Sequence, residues 1–419
     1  MSTIEPTTLP TETDVLVVGA GPAGSAAAYH LARHGVDVLM VDKARFPREK
    51  VCGDGLTPRA VAALQRAGVD VSDPGFARAE GLRTYGTHGT VIDLRWPKLA
   101  SWPSYALVRT RRDLDELIAR RATGAGARFA QEVEALDPLV ESGWVTGVRV
   151  RDAAGRPVEV RARHVIAGDG AAGRLGTKAG VRRDPRRAIG IAARRYYRAA
   201  RPFQPVFESF LNVRQPSGLI PGYGWIFHLP GGIVNVGAGL LSTFKGFDGT
   251  SARRVFDAFV AGLPPAWGIR EETALGPVAS GPLPTSINRR PSAVPGMLLV
   301  GDAAGMVNPF NGEGISTAME SGEIAAELIV EALERRRPAV AQTYPLVLRQ
   351  RYARYYRIGN QWARLLGNPT FMRLAVRYGL PQTWLMRFAL RFMANLTDGR
   401  DGDVEDRIMH ALISMVPEA

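Results

Sequence analysis

Three glycines near the start of the chain carry the spacing Gly-x-Gly-x-x-Gly, with an apolar run before them and an alanine-rich stretch after them. This pattern predicts a strand that enters a tight turn and a helix that leaves it. Backbone amides at such a helix start can approach a pyrophosphate, and Asp42, after a second apolar run, stands where a carboxylate would bind a ribose hydroxyl. The sequence therefore predicts a dinucleotide site. Its turn comprises Gly19, Ala20, Gly21, Pro22, Ala23 and Gly24.

A second group of glycines with an acid lies far downstream, in the segment GMLLVGDAAGMVNPFNGEGISTAMESG at 296–322. An apolar strand should end at Gly301 and Asp302, and a helix should begin at Gly314 and Ile315. A carboxylate at a strand end can accept hydrogen bonds from a polyol, and amides at a helix start can face an electron-rich ring edge. These two properties suit the ribityl chain and the ring of a flavin.

The only cysteine of the 419 residues, Cys52, lies in the segment VCGDGL. A single cysteine cannot form an internal disulfide, and no companion ligands accompany it that would make a metal site. Thr57 suits a helix N-cap and Pro58 suits the first helical position, so a helix restarts after Cys52 and leaves it on a loop. Gly53 and Gly55 would let the backbone of this loop approach a ligand.

Three aromatic residues alternate in the segment GYGWIFHLP at 222–230. On a strand, Tyr223, Trp225 and Phe227 point to one face. Such a face is either part of an ordinary core or the wall of an apolar pocket.

With both glycine–acid elements present, about 280 residues apart, the sequence resembles FAD-dependent oxidoreductases of the aromatic-hydroxylase fold. More narrowly, it resembles the geranylgeranyl reductase family. VCGDGL resembles the cysteine–glycine loop of that family, and GYGWIFHLP resembles its Tyr-x-Trp-x-Phe-Pro stretch, with His228 in place of the usual proline. The resemblance extends from Asp14 to Leu333 and implies FAD as the cofactor, which favours a pocket wall for the three aromatic residues.

The resemblance also implies the site residues. Those beside FAD would be Gly19 to Gly24, Asp42, Cys52, Gly53, Asp54, Gly55, Arg111, Val133, Asp169, Asp302, Gly314 and Ile315. Cys52 would also be the candidate catalytic residue, and Tyr223, Trp225 and Phe227 would bind substrate. An ordinary surface position remains the alternative for Arg111, and a simple turn cap remains the alternative for Asp169.

The segment VIAGDGAAGRLG at 165–176 resembles the Asp-Gly motif of the fold, with two departures. Gly173 stands where serine is usual, and Gly176 stands where arginine is usual. These departures weaken the case for a nicotinamide as the direct donor, so the electrons could come from NAD(P)H or from a reduced protein carrier.

The elements that would hold these residues indicate a mixed α/β fold. The opening strand should be followed by a helix from Ser25 to His34, with Gly35 as its stop, and by a strand that ends at Asp42. Segment 143–166 alternates apolar and polar residues across a turn, which predicts two or three antiparallel strands.

Composition then suggests how the chain divides. Residues 76–105 and 186–285 carry more aromatic residues, prolines and short strand-like runs, as a separate sheet would. We expect a Rossmann-like FAD-binding domain at 13–75, 106–185 and 286–338, an inserted antiparallel-sheet substrate domain at 76–105 and 186–285, and a helical C-terminal region at 339–419.

Members of the family reduce carbon–carbon double bonds of isoprenoid chains, so the resemblance implies the same reaction here. FPREKVCGDGLTPRA, the GYGWIF strand followed by VNVGAGLL, and the arginine-rich end are most similar to the actinobacterial-type menaquinone reductases, which saturate one isoprene unit of the quinone tail. An isolated alkene has no carbonyl to accept electrons. We therefore expect hydride from the reduced flavin to arrive together with a proton, with transient cation character facing the rings of Tyr223 and Trp225.

Other functions are compatible with the same sequence. Reductases of geranylgeranyl diphosphate, chlorophyll or archaeal-type lipids are close alternatives. A flavin monooxygenase or halogenase acting on an aromatic ring shares the fold. A flavin electron-transfer protein without substrate chemistry is a further alternative.

The formal net charge of +13 implies an anionic partner. Between Tyr344 and Leu396 there are nine arginines and neither Asp nor Glu, and two apolar stretches carry arginines four residues apart, 373 with 377 and 387 with 391. Basic amphipathic helices on an anionic membrane fit this pattern, and helices packed on the protein body with solvated arginines are the alternative. Nothing in the sequence resembles a nucleic-acid-binding motif. With one cysteine and no signal-peptide pattern, we expect a cytoplasmic protein, peripheral at the inner face of the cell membrane.

Overall fold

The computed structural model describes residues 9–215, 218–220, 222–244, 246–399 and 402–417. Its strands, in chain order, are β1 (Glu12–Val18), β2 (Val38–Asp42), β3 (Gly55–Leu56), β4 (Ala77–Ala79), β5 (Gly81–Tyr85), β6 (Val91–Arg95), β7 (Ala106–Val108), β8 (Arg128–Gln131), β9 (Glu134–Glu141), β10 (Trp144–Arg151), β11 (Pro157–Ala167), β12 (Arg182–Arg183), β13 (Ile189–Arg198), β14 (Phe207–Phe210), β15 (Arg214–Gln215), β16 (Gly218–Leu219), β17 (Gly222–Leu229), β18 (Ile233–Leu241), β19 (Ala274–Pro284), β20 (Arg289–Arg290), β21 (Ala293–Val294) and β22 (Met297–Leu299).

The α-helices in the same residues are α1 (Pro22–Arg33), α2 (Pro58–Arg66), α3 (Arg111–Gly124), α4 (Leu175–Lys178), α5 (Ala252–Ala261), α6 (Ile315–Glu334), α7 (Tyr344–Leu366), α8 (Pro369–Leu374), α9 (Thr383–Met393) and α10 (Val404–Ser414). Short 3-10 turns connect several of them, and a π-helical turn at Ala375–Gly379 follows α8.

The first sheet has the parallel order β22, β11, β1, β2, β8, with β21 added antiparallel at one edge. Residues 15–18 of β1 and 38–41 of β2 are apolar and buried, as expected where helices cover both faces of a parallel sheet. The antiparallel strands β9 and β10 continue from the first half of the long strand β11. This arrangement confirms the predicted Rossmann-like fold and the antiparallel strands within 143–166.

The second sheet has the order β19, β13, β18, β17, β14, β5, β6, and its neighbours are antiparallel except for β14 with β5. Helix α5 packs on one face, where Phe259 leaves so little room that a methyl group on Gly224 would lie 2.5 Å from its ring. The residues that alternate with Gly224 on β17 therefore face the opposite way, toward the first sheet.

The segments that composition set apart enter this second sheet through β5, β6, β13, β14 and β17 to β19. Strand β4 does not join them, because it pairs with β7 in a small three-stranded sheet that also contains β3.

Two predicted helices can be compared residue by residue. Helix α1 begins at Pro22, three residues before the predicted Ser25, because the glycine turn leads directly into a first turn that carries proline. It ends at Arg33, followed by Gly35 with φ +72°. For α2 the predicted signals are correct, since the Thr57 side chain accepts from the amide of Ala60 and Pro58 opens the helix.

The C-terminal region is helical, as predicted. Tyrosines at positions 344, 352 and 356 of α7 are almost fully buried against the first sheet and α6. Within the described residues, none of the helices combines the length and the apolar character needed to cross a bilayer.

Candidate functional site

Most of the predicted cofactor-binding residues lie at the carboxyl edge of the first sheet. Gly19 follows β1, Asp42 ends β2, Val133 follows β8, Asp169 follows β11, and Asp302 follows β22. Ligands of parallel α/β sheets bind at this edge, because the loops that leave it converge there.

The glycine turn has the geometry that the spacing predicts. Gly19 has φ +95°, and a methyl group there would lie 2.3 Å from the carbonyl oxygen of Gly168. A methyl group on Gly24 would lie 1.9 Å from the carbonyl oxygen of Gly19, so this position holds the helix against the turn. By contrast, Gly21 is the N-cap of α1 without a capping side chain, and Arg48 is 3.5 Å from the place of its missing methyl group. Gly21 is thus the point where a ligand can approach the helix amides.

Asp42 orders the turn as well as facing the site. Its carboxylate accepts from the amides of Ala20 and Ala44, each at 2.9 Å. Arg48 lies 3.8 Å from this carboxylate and 2.9 Å from that of Asp115, with its guanidinium 4.8 Å from the ring centre of Phe46. Arg48 was not among the predicted site residues, although it belongs to a basic run after β2 that could have pointed to it.

Arg111 is buried, so the alternative of an ordinary surface arginine is wrong. Its guanidinium donates to both oxygens of Asp115 at 2.6 and 2.7 Å, and its amide donates to Asp54. Val133 donates its amide to the carbonyl of Asp42 at 2.9 Å, which places it beside the end of β2.

Asp169 caps a turn, as the sequence alternative allowed. Its carboxylate accepts from the amide of Leu175, and burial raises its pKa despite this bond. The structure also explains both departures in this motif. A methyl group on Gly173 would lie 2.2 Å from the carboxyl carbon of Asp169, and one on Gly176 would lie 2.7 Å from Leu299.

The start of α6 forms the second half of the site. Its N-cap is Gly314, without a capping side chain, and Ile315 is its first residue. The Asp302 carboxylate is 3.6 Å from the place of the missing methyl group of Gly314. The side chain of Glu313 turns to the amide and hydroxyl of Ser316, and its burial raises its pKa. The α6 N-terminus therefore offers amides, with Asp302 beside them.

The Cys52 loop lies between the two sheets. A methyl group on Gly53 would be 3.2 Å from Nε1 of Trp225, and one on Gly55 would be 2.8 Å from the ring of Phe227. Trp225 itself lies flat on Gly237, where a methyl group would be 2.1 Å from its ring. The glycines on both sides make room for the indole, so the predicted aromatic face packs directly on the predicted cofactor loop.

Tyr223 reaches from β17 to the turn before α6. Its hydroxyl donates to the carbonyl of Asn311 at 2.7 Å, and burial raises its pKa to about 12. The thiol of Cys52 also has a raised pKa, because desolvation outweighs the opposing effect of Arg111. Both groups keep their protons at neutral pH.

Two further residues of the second sheet contact the Cys52 loop, and sequence reasoning missed both. Asn235 on β18 bonds to Cys52, Asp54 and Trp225, and Tyr196 on β13 bonds to Asp54. The available signal was a single asparagine within the apolar run IVNVGAGLL.

These features fit FAD. The N-cap residues of α1 and α6 are glycines without a side chain, so both helix starts present amides, although Glu313 accepts from the Ser316 amide of α6. The turn at Gly21 is open to a ligand. Carboxylates follow β2 and β22, at the positions expected for ribose and ribityl contacts. We propose that the predicted residues would hold FAD, together with Arg48, which lies 3.5 Å from the place of the missing methyl group of Gly21.

The arginines of the C-terminal helices divide into two groups. Arg391 is buried and forms ion pairs with Asp403, Glu405 and Asp406 from the α10 region, so it does not face a membrane as the spacing had suggested. The other members of the two pairs remain at the surface beside large apolar side chains. This basic apolar patch comprises Arg373, Leu374, Arg377, Tyr378, Trp384 and Arg387.

Comparison with known sequences identifies the family of the chain. Residues 12–207 match the FAD binding domain family. The chain is 39% identical over 397 residues to the menaquinone reductase of Mycobacterium tuberculosis, covering 94% of each chain. It is 32% identical over 349 residues to the digeranylgeranylglycerophospholipid reductase of Thermoplasma acidophilum, covering 81% of this chain and 84% of that protein.

Solved structures give the same picture. A geranylgeranyl bacteriochlorophyll reductase-like protein from Thermoplasma acidophilum superposes with a TM-score of 0.77 at 26% identity, covering 96% of this chain and 99% of that one. A myxobacterial chondrochloren halogenase superposes with a TM-score of 0.72 at 19% identity, covering 97% of each chain. The second likeness shows a shared fold alone.

Proposed function

Since this chain belongs to the geranylgeranyl reductase family of FAD-dependent oxidoreductases, it is an FAD-dependent isoprenoid reductase, and we propose that its substrate is the polyprenyl tail of a menaquinone. The reaction would saturate one isoprene unit of that tail. The relative named menaquinone reductase matches almost the full length of the chain, whereas the archaeal lipid reductase matches less of it at lower identity.

The observation that carries the proposal is the contact of the aromatic face of β17 with the Cys52 loop. Tyr223, Trp225 and Phe227 follow one another with ring centres 5.8 and 6.4 Å apart, and Phe207 stacks on Phe227 at 4.4 Å. Such an apolar wall beside the cofactor residues suits a hydrocarbon chain better than a charged metabolite.

The residues of the chain have defined tasks in this reaction. Reduced FAD supplies a hydride when it is bound. The second alkene carbon needs a proton, and Cys52 is our candidate to hold it, because burial keeps its thiol protonated. The rings of Tyr223 and Trp225 would face the cation character that develops as the proton arrives. Arg111 and Asp54, which both act on the thiol electrostatically and bond to each other, would hold the loop in place.

The deciding experiment is anaerobic incubation of the dithionite-reduced holoenzyme with menaquinone, followed by mass spectrometry of the extracted lipid. Dithionite takes the place of the electron donor, for which NAD(P)H and a reduced protein carrier are both compatible with the site. We expect a gain of two hydrogens located in the tail. Reduction of geranylgeranyl diphosphate or digeranylgeranylglycerophospholipid with menaquinone unchanged would reassign the substrate.

Two other outcomes would reject the reductase activity. Oxygen uptake with NAD(P)H that is stimulated by an aromatic compound would indicate a monooxygenase or halogenase. Reoxidation of the flavin by an electron carrier, with every lipid unchanged in mass, would indicate an electron-transfer protein.

We further propose that the basic apolar patch contacts an anionic membrane, at the inner face of the cell membrane where such a lipid substrate resides. Trp384 and Tyr378 are 70% and 60% exposed, and the three exposed arginines lie within five residues of one or the other along the chain. An aromatic group can insert at the headgroup level while each basic residue adds about 1 kcal/mol near anionic lipid.

Vesicle co-sedimentation tests this contact. Replacing Arg373, Arg377 and Arg387 by serine should remove about 3 kcal/mol of binding to phosphatidylserine vesicles and have little effect with neutral vesicles. The matched control replaces three exposed arginines on other elements, Arg112, Arg182 and Arg183. If both variants lose vesicle binding equally, the binding depends on the overall positive charge of the protein and the basic apolar patch is not the contact.

A further inference from the structure

Asn235 is a polar residue on the face that the second sheet turns toward the Cys52 loop. It is fully buried, and in the sheet it stands directly between Phe227 of β17 and Tyr196 of β13. A buried amide needs partners for its oxygen and for both hydrogens, so its bonds can be counted.

The oxygen and both hydrogens of the Asn235 amide have partners, and all three partners belong to the Cys52 loop or the aromatic face of β17. The Oδ1 of Asn235 accepts from Nε1 of Trp225 at 3.0 Å, while its Nδ2 donates to the carbonyl of Cys52 at 2.9 Å and to Oδ2 of Asp54 at 2.7 Å. An indole N–H can only donate and a carbonyl can only accept, so the amide has one possible orientation. The same side chain thereby fixes an aromatic wall residue and the cofactor loop.

Asp54 completes the junction from the other side. It is fully buried with φ +66°, and its carboxylate also accepts from the hydroxyl of Tyr196 at 2.6 Å and from the amide of Arg111 at 3.1 Å. The loop backbone in this left-handed conformation needs support from its surroundings. Donors from β13, β18 and α3 supply that support.

We propose that Asn235 is a positioning residue for the reductase reaction proposed above: its amide holds the Trp225 ring and the Cys52 loop in one fixed relation. Without this amide, the Trp225 ring would still pack between Gly237 and Gly53 of the loop. The ring and the loop would lose the hydrogen bonds to Asn235 that set the distance between Trp225 and Cys52. Catalysis is sensitive to displacements of this size, because reacting groups must approach within about 3 to 3.5 Å.

The charge of Asp54 gives a readout that does not depend on any substrate. Burial raises the pKa of Asp54 to about 6, and the bonds from Tyr196 and Asn235 oppose that rise, as do Arg194 and the Arg111 amide. The other ionisable groups around it are the Cys52 thiol on the same loop and Glu49, which pairs with Arg194. Removing the Asn235 amide therefore moves the Asp54 titration to higher pH.

The experiment uses the FAD-loaded Asn235→Leu variant, in which a side chain of similar size has no hydrogen-bonding atoms. The matched control is Asn360→Leu, which changes a buried asparagine of α7 outside the site. The rate of reduction of a bound polyprenyl substrate is measured in a single turnover, and the carboxyl of Asp54 is followed by its infrared band, assigned with Asp54→Asn.

We expect Asn235→Leu to keep FAD bound, to change KM less than twofold, to lower the single-turnover rate at least tenfold, and to raise the titration pH of Asp54. An unchanged rate, or an unshifted titration, would overturn the proposal. If menaquinone reduction itself proves wrong, the infrared titration still decides the hydrogen bonding.

A second pair of variants decides the matter if Asn235→Leu does not fold. Tyr196→Phe removes one donor to Asp54 and preserves the shape of the ring, whereas Tyr197→Phe changes the neighbouring residue, whose side chain belongs to the core on the α5 face of β13. We expect Tyr196→Phe to raise the pKa of Asp54 and to lower the single-turnover rate, and Tyr197→Phe to change neither. Equal behaviour of the two variants would overturn the proposal.

Discussion

Arg59 and Glu320 form a buried ion pair that joins the two halves of the cofactor site. Nε and Nη2 of Arg59 donate to Oε1 and Oε2 of Glu320, at 2.7 and 2.8 Å. Arg59 belongs to α2, which follows the Cys52 loop, and Glu320 belongs to α6, which begins at Gly314. A third bond from Arg59 to the carbonyl of Asn395, at 2.9 Å, connects the C-terminal helices to the same pair.

Glu320→Gln should destabilise the protein strongly. Burial alone would raise the pKa of Glu320, but Arg59 holds it below its ordinary value, so the carboxylate is charged in the folded protein. The variant leaves the Arg59 charge buried without its partner, which costs about 3 to 5 kcal/mol. Chemical denaturation at pH 7 measures this, with Asp257→Asn as a surface control that breaks the Arg253 pair and costs under about 1 kcal/mol. Similar losses in the two variants would contradict a special role for the buried pair.

The Asp54 carboxyl should make the folded protein less stable as the pH rises. Its pKa is about 6 in the folded protein and 3.8 in an ordinary environment, so between these values the unfolded chain loses the proton first. Ionisation then favours unfolding, and the stability contribution should fall by about 3 kcal/mol in total, about 2 kcal/mol of it as the pH rises from 4 to 6, with no change above about 7.

Thermal unfolding of the parent and of Asp54→Asn between pH 4 and 8 measures this contribution. The difference between the two should follow the stated fall, because asparagine does not titrate. A difference that is independent of pH would mean that the pKa of Asp54 is the same in the folded and the unfolded chain.

The glycine turn and the start of α2 could be predicted from the sequence because their determinants are local. Gly19 and Gly24 act within one turn, and Thr57 and Pro58 define a helix start by themselves. The aromatic face of β17 was predictable for the same reason, since alternation along one strand fixes the side on which a residue lies.

Asn235 and Arg391 show where sequence reasoning stopped. Asn235 bonds to Asp54 across 181 residues, so its role depends on how the second sheet packs on the first. The spacing of Arg387 and Arg391 suggested a common basic surface, but carboxylates from the following helix reach only Arg391 and bury it. Both outcomes depend on tertiary contacts, which a pattern along one element does not contain.

Cys52→Ser should retain FAD and reduce more slowly. The loop backbone keeps its bond from Asn235, so the cofactor contacts do not depend on the sulfur. A serine hydroxyl is a much weaker acid than the thiol, and loss of a general acid typically lowers the rate about a hundredfold or more. Single-turnover reduction of a polyprenyl substrate by prereduced enzyme gives the rate, and Cys52→Ala controls for the polar group. Full activity of the serine variant would mean that the loop matters and its thiol does not.

Trp225→Ala should lower reduction of a bound polyprenyl substrate by prereduced enzyme, because the wall loses the ring that faces the developing cation. Truncating a buried aromatic residue also costs about 3 to 5 kcal/mol of stability, so a second variant separates the two effects.

Gly237→Ala places a methyl group where the Trp225 ring lies, 2.1 Å from its nearest atom, and must displace the indole while keeping it. Gly124→Ala, with open space around the added methyl group, serves as its control. We expect Trp225→Ala and Gly237→Ala to lose rate with FAD retained and Gly124→Ala to match the parent. An unchanged rate in Trp225→Ala would exclude the indole from the reaction and leave it as a packing residue between two glycines.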